Sequence, residues 1–300
     1  MHIRRLFYHL LFFSILLGLG AMLVSHPPRP APLPHVSFDG ERAYRHVTAQ
    51  MAFGPRITGT EGSRKAGNYI AEQLMEAHWT VEFQEFTYRD THARNVIGRA
   101  NIGNGSIIIL GAHYDTRRWA DQDANQPRDP VLGANNGASG VAVLLELARS
   151  IDLRRINHEI WLAFFDAEDN GGIDGWDWIV GSTHMAENLL VQPEAMILVD
   201  MVGDIDQQIY FDGNSNRLLS ERIWSIAANL GYGNHFIPQV RWHVIDDHTP
   251  FLQRGITAID IIDFDYAYWH TTGDTPNKVS PDSLERIGRT LQAFLETREK

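Results

Sequence analysis

Acidic and imidazole side chains follow four short apolar runs of this sequence, each where the run ends. They are His113 and Asp115 after residues 107–112, Glu168 and Asp169 after 160–165, Asp200 after 195–199, and His270 beyond 258–262. An unpaired carboxylate is costly to bury, and one bound metal ion would stabilise several at once. The sequence contains no cysteine, which excludes thiolate zinc sites, iron–sulfur clusters and a cysteine nucleophile.

The four runs are typical of strands that a parallel sheet buries on both faces. Two further strands are expected at 80–87 and 95–100. Helices are expected at residues 39–51 (with Asp39 as N-cap), 63–77, 138–150, 182–190, 217–230 and 281–298. This alternation predicts an α/β fold, a three-layer α/β/α sandwich with a mostly parallel central sheet. Ligand sites form at the carboxyl ends of such strands, so the acidic and imidazole groups should share one rim.

Composition limits the classes of function. Of 300 residues, 44% are hydrophobic and 21% are charged, the balance of a folded globular protein. The formal net charge of −11 argues against nucleic acid as a partner, because phosphate binding needs clustered Lys and Arg. The composition leaves the oligomeric state open.

The N-terminal segment has the composition of a targeting sequence. Residues 6–25 are apolar apart from His9, and Arg4 and Arg5 precede them. This pattern predicts a signal anchor or signal peptide at residues 1–25, and its length favours an uncleaved anchor. Residues 26–35 form a Pro-rich spacer, and 36–300 are expected to form a single catalytic domain. The positive-inside rule places that domain outside the cytoplasm, anchored to the membrane only through the N-terminal segment, or secreted if the segment is cleaved.

Six motifs carry a family resemblance. They are AHYDTRRWADQD (112–123), GANNGASGVAVLLELAR (133–149), FFDAED (164–169), LVDMVG (198–203), DDHTPFLQRG (246–255) and YWHTTGDTP (268–276). As an ordered set they resemble the co-catalytic zinc aminopeptidase family, which also contains the glutaminyl cyclases. The stretch 246–252 together with Trp269 and His270 is more similar to the glutaminyl-cyclase branch. The resemblance covers nearly all of residues 36–300, and implies a zinc-exopeptidase-like fold and peptide or protein N-termini as substrates.

The resemblance also implies roles for individual side chains. The matched residues are Glu168 as general base, Asp200 and Asp247 as acids that support it, Asp169 and His270 as ligands of one zinc ion, His113 and Asp200 as ligands of a second zinc ion in two-metal members, and Asp115 as a carboxylate that orients His113. Such outer carboxylates fix the orientation of ligand imidazoles. Taken alone, Asp115 is equally compatible with a solvated turn.

One position departs from the family pattern. Asn136 lies where the family has an aspartate that bridges two zinc ions. An amide offers one neutral oxygen, and its NH2 group repels a cation. We therefore expect one zinc ion rather than two, bound by Asp169, His270 and a weak Asn136 oxygen, with reduced affinity.

The missing acid also bears on the reaction. Cyclisation of an N-terminal glutamine needs no external water, so one metal suffices, whereas an aminopeptidase activates water and usually anchors the free amine on a second metal. Indoles of Trp269, Trp176 and Trp178 are expected to form a small apolar pocket for the glutamine side chain. The sequence thus predicts a zinc-dependent glutaminyl-peptide cyclotransferase that forms pyroglutamate and releases ammonia. Two alternatives stay open: a zinc aminopeptidase, and a non-catalytic member weakened by Asn136.

Overall fold

The apolar runs form the centre of a six-stranded sheet in a computed structural model, which describes residues 36–297. The strands are β1 (Thr80–Tyr88), β2 (Thr91–Ala100), β3 (Ile107–His113), β4 (Glu159–Phe165), β5 (Ala195–Asp200), β6 (Ile209–Asp212), β7 (Phe236–Trp242) and β8 (Thr257–Ile262). The large sheet has the order β1-β2-β4-β3-β5-β8, and β6 pairs with β7 in a second sheet. Strands β4, β3, β5 and β8 are mutually parallel, as predicted. β2 is antiparallel to both of its neighbours.

Helices cover both faces of the large sheet. They are α1 (Gly40–Met51), α2 (Glu61–Glu76), α3 (Ser139–Ser150), α4 (Val180–Glu187), α5 (Arg217–Asn229), α6 (Thr249–Gln253) and α7 (Pro281–Glu296). The first helix begins as predicted, since the Asp39 carboxylate accepts a hydrogen bond from the backbone N–H of Arg42 at 3.0 Å. Such a cap satisfies a backbone donor that the first turn leaves unpaired.

Alternate residues of each central strand belong to different layers of the core. In β4, Leu162 and Phe164 join the cluster that also holds residues of α1, α2, α3, α5 and α7. Their neighbours Ala163 and Phe165 join the cluster that holds residues of α4 and α6. This period of two places one helical layer on each side of the sheet, which confirms the predicted three-layer α/β/α architecture.

Three elements were not expected from the sequence. β6 has four residues and α6 has five, too few to show a clear period. β7 contains Pro238 and is mostly exposed, so it lacks the alternation that identifies a half-buried strand. All three lie on the β8 side of the molecule, and β7 leads into the turn that carries Asp246.

The predicted signal segment at 1–25 and the spacer at 26–35 lie outside the described residues. Within residues 36–297 no helix is long and apolar enough to cross a bilayer.

Candidate active site

The carboxyl ends of the parallel strands open into one cavity of about 350 Å³. The side chains lining it include four carboxylates, two imidazoles and three indoles: Glu168, Asp169, Asp200, Asp246, His243, His270, Trp178, Trp242 and Trp269. Asn136 also borders the cavity. The rim expected from parallel-sheet topology is therefore present, and it draws residues from 136 to 270 into one place.

A chain of polar contacts crosses the floor of this cavity. His270 Nε2 lies 2.8 Å from Asp169 Oδ1, and Asp169 Oδ2 accepts a hydrogen bond from Asn136 Nδ2 at 3.0 Å. On the other side of the amide, His113 Nε2 is 2.9 Å from Asn136 Oδ1 and 3.1 Å from Asp200 Oδ1. Asn136 thus connects the Asp169–His270 pair to the His113–Asp200 pair.

Glu168 borders the cavity with a side chain that is almost fully buried. Burial raises its pKa well above the usual glutamate range, the nearby charges of Asp169 and Asp246 raise the pKa further, and His113 opposes them. Its Oε2 atom is 3.7 Å from His113 Nδ1. A raised pKa brings a carboxyl group closer to what a general acid–base requires than an ordinary glutamate.

Asp115 is fully buried beneath these residues, so a solvated turn is excluded. Its two carboxylate oxygens accept hydrogen bonds from the backbone N–H groups of Glu168 and Asp169, at 3.0 and 3.2 Å. Its Oδ1 atom also lies 3.4 Å from His113 Nδ1, and the expected role of Asp115 in orienting His113 stays a prediction. Asp115 therefore fixes the backbone of both Glu168 and Asp169.

Unusual backbone dihedral angles occur at three positions in or next to the site. Three non-glycine residues at the site have positive φ: Ala167 at 60°, Met201 at 45° and His270 at 55°. Ala167 directly precedes Glu168, and Met201 directly follows Asp200. Non-glycine residues rarely adopt this region, and where they do the strain tends to mark a functional site.

Of the adjacent acids at positions 246 and 247, one lines the cavity and the other does not. Asp246, rather than Asp247, lines the cavity, and its carboxylate accepts a hydrogen bond from the backbone N–H of Asp247 at 2.6 Å. Asp247 is fully buried and does not line the cavity. Burial raises the pKa of Asp246 to about 7, and the charge of Asp200 contributes to the rise. The acid that joins Asp200 in the cavity lining is thus Asp246. Both Asp246 and Asp247 lie close enough to raise the pKa of Glu168, and the supporting role expected of Asp247 stays a prediction.

The structure shows which tryptophans line the cavity. Trp269 and Trp178 line the cavity and both stack on the His270 imidazole, with ring centroids 3.8 and 5.9 Å away. Trp176 does not line the cavity; it is buried against Tyr88, with ring centroids 5.2 Å apart. The third indole of the cavity is Trp242, at the end of the unpredicted strand β7.

The glycine-rich segment 132–137, which carries Asn136, is held by a buried arginine that the sequence did not single out. Arg56 donates to the carbonyl oxygens of Tyr114, Leu132 and Gly133 at 2.7 to 2.9 Å. Burial lowers the pKa of Arg56 to about 10, so the guanidinium stays charged at neutral pH. From the other side, Asp274 accepts hydrogen bonds from the backbone N–H groups of residues 135 and 136, at 2.8 and 3.0 Å.

Replacing Arg56 by methionine should therefore destabilise the fold by about 3 kcal/mol, because three carbonyl groups lose a charged donor and Asp274 loses a nearby positive charge. Urea denaturation measures this difference. Arg42→Met, on the exposed face of α1, serves as the matched control and should change stability by about 0.5 kcal/mol or less. Equal stabilities of the two variants would show that Arg56 does not hold the segment.

The donor set fits a single zinc ion only in part. Asp169 and His270 face each other as a carboxylate and an imidazole, the ligand types that zinc prefers. The third position is Asn136, whose NH2 group points at Asp169, so its oxygen reaches the same point only after the amide turns over. Accordingly, within the described part of the chain no three His, Asp or Glu side chains are already arranged to hold a metal ion.

The comparisons with known proteins agree with this geometry. A model of peptidase family M28 matches residues 95–295 of the chain, more than half of its length. This chain belongs to peptidase family M28. The matched region contains every residue placed on the cavity floor above. Members of the M28 family are enzymes, and the family assignment confirms the resemblance drawn from the six motifs.

Individual M28 relatives point in the same direction. A glutaminyl-peptide cyclotransferase from Drosophila melanogaster is 24% identical over 278 residues, covering 80% of this chain and 76% of that protein. The crystal structure of Bacteroides thetaiotaomicron glutaminyl cyclase is 33% identical with a TM-score of 0.82, and the match covers 89% of this chain and all of that one. A Zn-dependent exopeptidase from Parabacteroides distasonis gives the same identity and TM-score over 88% of this chain and all of that one.

Proposed function

We propose that this M28 protein is a zinc-dependent glutaminyl-peptide cyclotransferase, which converts the N-terminal glutamine of a peptide or protein to pyroglutamate. The observation that carries the proposal is the cavity itself, where a buried glutamate of raised pKa meets three indoles and the Asp169–His270 pair. Relatives named glutaminyl cyclases, matched over most of their own length, support the same reaction.

The chemistry assigned to Glu168 is a proton transfer in two stages. The substrate's α-amine attacks the carbonyl carbon of its own side-chain amide, and the C–N bond to the amide nitrogen breaks. Glu168 takes the proton that the attacking amine loses and delivers it to the departing nitrogen, which leaves as ammonia. The same carboxyl serves both stages, and burial favours its protonated form by raising its pKa well above the usual glutamate range.

The indoles account for binding of the substrate side chain. Trp178, Trp242 and Trp269 give the cavity apolar walls, against which the methylene groups of a glutamine side chain can pack. Asp200 and Asp246 also line the cavity, and their acidic groups suit binding of the α-amine in its positively charged form. That form releases its extra proton to solvent before the neutral amine attacks. The cavity volume lies at the lower end of the range for small-ligand sites, as one amino-acid residue requires.

We assign a single zinc ion to Asp169, His270 and the oxygen of Asn136 after its amide turns over. When bound, zinc supplies Lewis-acid polarisation of the substrate carbonyl. The anionic bridging ligand that a two-zinc centre uses is absent at position 136, so His113 and Asp200 are assigned to the hydrogen-bond network around Glu168. An aminopeptidase reaction is less well supported for the same reason.

We also propose that the protein acts outside the cytoplasm. The support is the apolar segment at residues 6–25 with Arg4 and Arg5 before it.

Two peptides test the proposed reaction. The protein from residue 36 onward is incubated with zinc and with peptides that begin with Gln or with Leu, and mass spectrometry follows the products. Loss of ammonia from the Gln peptide alone is expected. Release of free leucine would establish the aminopeptidase alternative, and two unchanged peptides would favour the non-catalytic one.

A further inference from the structure

A second hollow lies behind the indole of Trp178. This hollow, which we call the rim pocket, has a volume of about 230 Å³ and lies between β1 and α4. Phe86, Tyr88, Trp178 and His184 form its walls, and Asp177 and Glu187 are the acids among its lining residues. Trp178 also lines the catalytic cavity, so one side chain is shared by the two pockets.

The walls of the rim pocket are held in place by aromatic contacts. Phe86 stacks on His184 with ring centroids 4.6 Å apart. Tyr88 packs edge-on against the buried Trp176 at 5.2 Å, which gives that tryptophan a role as support beneath the pocket. The Tyr88 hydroxyl donates a hydrogen bond to the Asp177 carboxylate. These contacts fix the side chains that form the apolar walls of the pocket before any ligand binds.

The charges around the rim pocket favour a cationic side chain as its ligand. Both acids of the rim pocket are exposed, and among the described residues that line it there is no Lys or Arg. Arg89 lies just outside, with its guanidinium 5.7 Å from the Tyr88 ring centroid and its Nε–H donating to the Tyr88 hydroxyl at 3.3 Å. Its charge interacts with that of Asp177, so this surface already accommodates a guanidinium. A long cationic side chain combines an apolar stem with a charged head, which matches apolar walls with carboxylates at the rim.

We propose that the rim pocket binds an arginine or lysine side chain of the peptide substrate, at a position shortly after the N-terminal glutamine. This inference rests on the proposed cyclotransferase function, because the glutamine in the catalytic cavity fixes where the peptide starts. From there the chain passes Trp178, the side chain common to both pockets. An extended peptide advances by roughly 3.3 Å per residue, and because the two pockets share a lining side chain we place the cationic residue at one of positions two to four.

The test compares arginine with citrulline, which has nearly the same shape but no charge. Each is placed in turn at positions two, three and four of a short peptide that begins with Gln, and kcat/KM is measured from ammonia release. At one position the arginine peptide should be about fivefold better, the gain expected of exposed ion pairs with two carboxylates. This preference should shrink as salt is added, since exposed charges are screened.

Two double variants test whether the preference for arginine over citrulline arises at the rim pocket. In Asp177→Asn/Glu187→Gln the ratio between the arginine and citrulline peptides should fall to about one. The control Glu41→Gln/Glu72→Gln removes the same charge from exposed positions on α1 and α2, and it should keep the ratio. Equal rates for both peptides at all three positions, or a preference that survives in the first variant, would overturn the proposal.

Failure of the proposed function gives a different result. In that case no Gln peptide releases ammonia, whatever residue follows. The same peptides, labelled at the C-terminus, then report binding through fluorescence anisotropy. Tighter binding of the arginine peptide that is lost in Asp177→Asn/Glu187→Gln would uphold the rim pocket without the cyclisation reaction, and equal binding of the two peptides would reject it.

Discussion

Glutamine cyclisation should slow by about 10²- to 10⁴-fold when Glu168 is replaced by glutamine, the usual contribution of a positioned acid–base group. Glutamine keeps the length and shape of the side chain but cannot take the proton from the attacking amine. The loss should appear in kcat, because the indoles and acids that bind the substrate are unchanged. Ammonia release from a Gln peptide, followed at saturating and limiting concentrations, measures both parameters.

The same variant should remain folded. The backbone N–H of Glu168 is held by Asp115, and the substitution removes a buried acid whose charged form is already disfavoured. Circular dichroism and urea denaturation establish this, with Glu72→Gln on the exposed face of α2 as the matched control for charge. A folded Glu168→Gln protein with turnover close to that of the parent would remove Glu168 from the mechanism.

The strand ends were predictable because they depend on local patterns. A run such as 160–165 is apolar at every position, and the acids that follow it stand out against it. Parallel topology then brings the ends of such strands to one edge of the sheet. For this reason Glu168, Asp169 and Asp200 meet in the structure although no sequence signal pairs them directly.

Other features depend on the path of irregular segments, which a periodic pattern cannot give. Asp246 and Asp247 are adjacent acids, and only the turn after β7 decides which one faces the cavity. Trp176 and Trp178 are two residues apart, yet one supports Tyr88 and the other stacks on His270.

Long-range contacts between a side chain and backbone atoms could not be predicted from the sequence either. Arg56 holds carbonyl groups that lie 58 to 77 positions further along the chain. A single arginine in a loop gives no sign of such partners, because the groups it binds are present in every residue. Its complete burial is what identifies it.

Substituting aspartate for Asn136 should tighten zinc binding by at least about tenfold, or 1.4 kcal/mol. The amide now donates a hydrogen bond to Asp169 at 3.0 Å and meets His113 through its oxygen at 2.9 Å. Zinc binding by the parent chain has to break the contact with Asp169. A carboxylate needs no such rearrangement and adds a negative charge to the ligand set. Equilibrium dialysis against buffered zinc measures the affinity.

Without metal, the same substitution should lower stability. Two carboxylates would then face each other where a hydrogen bond now joins residues 136 and 169, and like charges at this distance repel. Thermal unfolding in a chelator should therefore show a lower Tm for Asn136→Asp than for the parent, and added zinc should reverse the order. This readout does not depend on catalysis.

Two controls separate charge from loss of the amide. Asn136→Ala removes the hydrogen bond to Asp169 without supplying a ligand, so it should not reach the zinc affinity of the aspartate variant. Asn125→Asp adds the same charge at an exposed position, and it should leave zinc affinity unchanged. If Asn136→Asp binds zinc no better than the parent, residue 136 is not a ligand. The parent amide would then serve to hold Asp169 and His113 in place, and the metal would have to depend on Asp169 and His270.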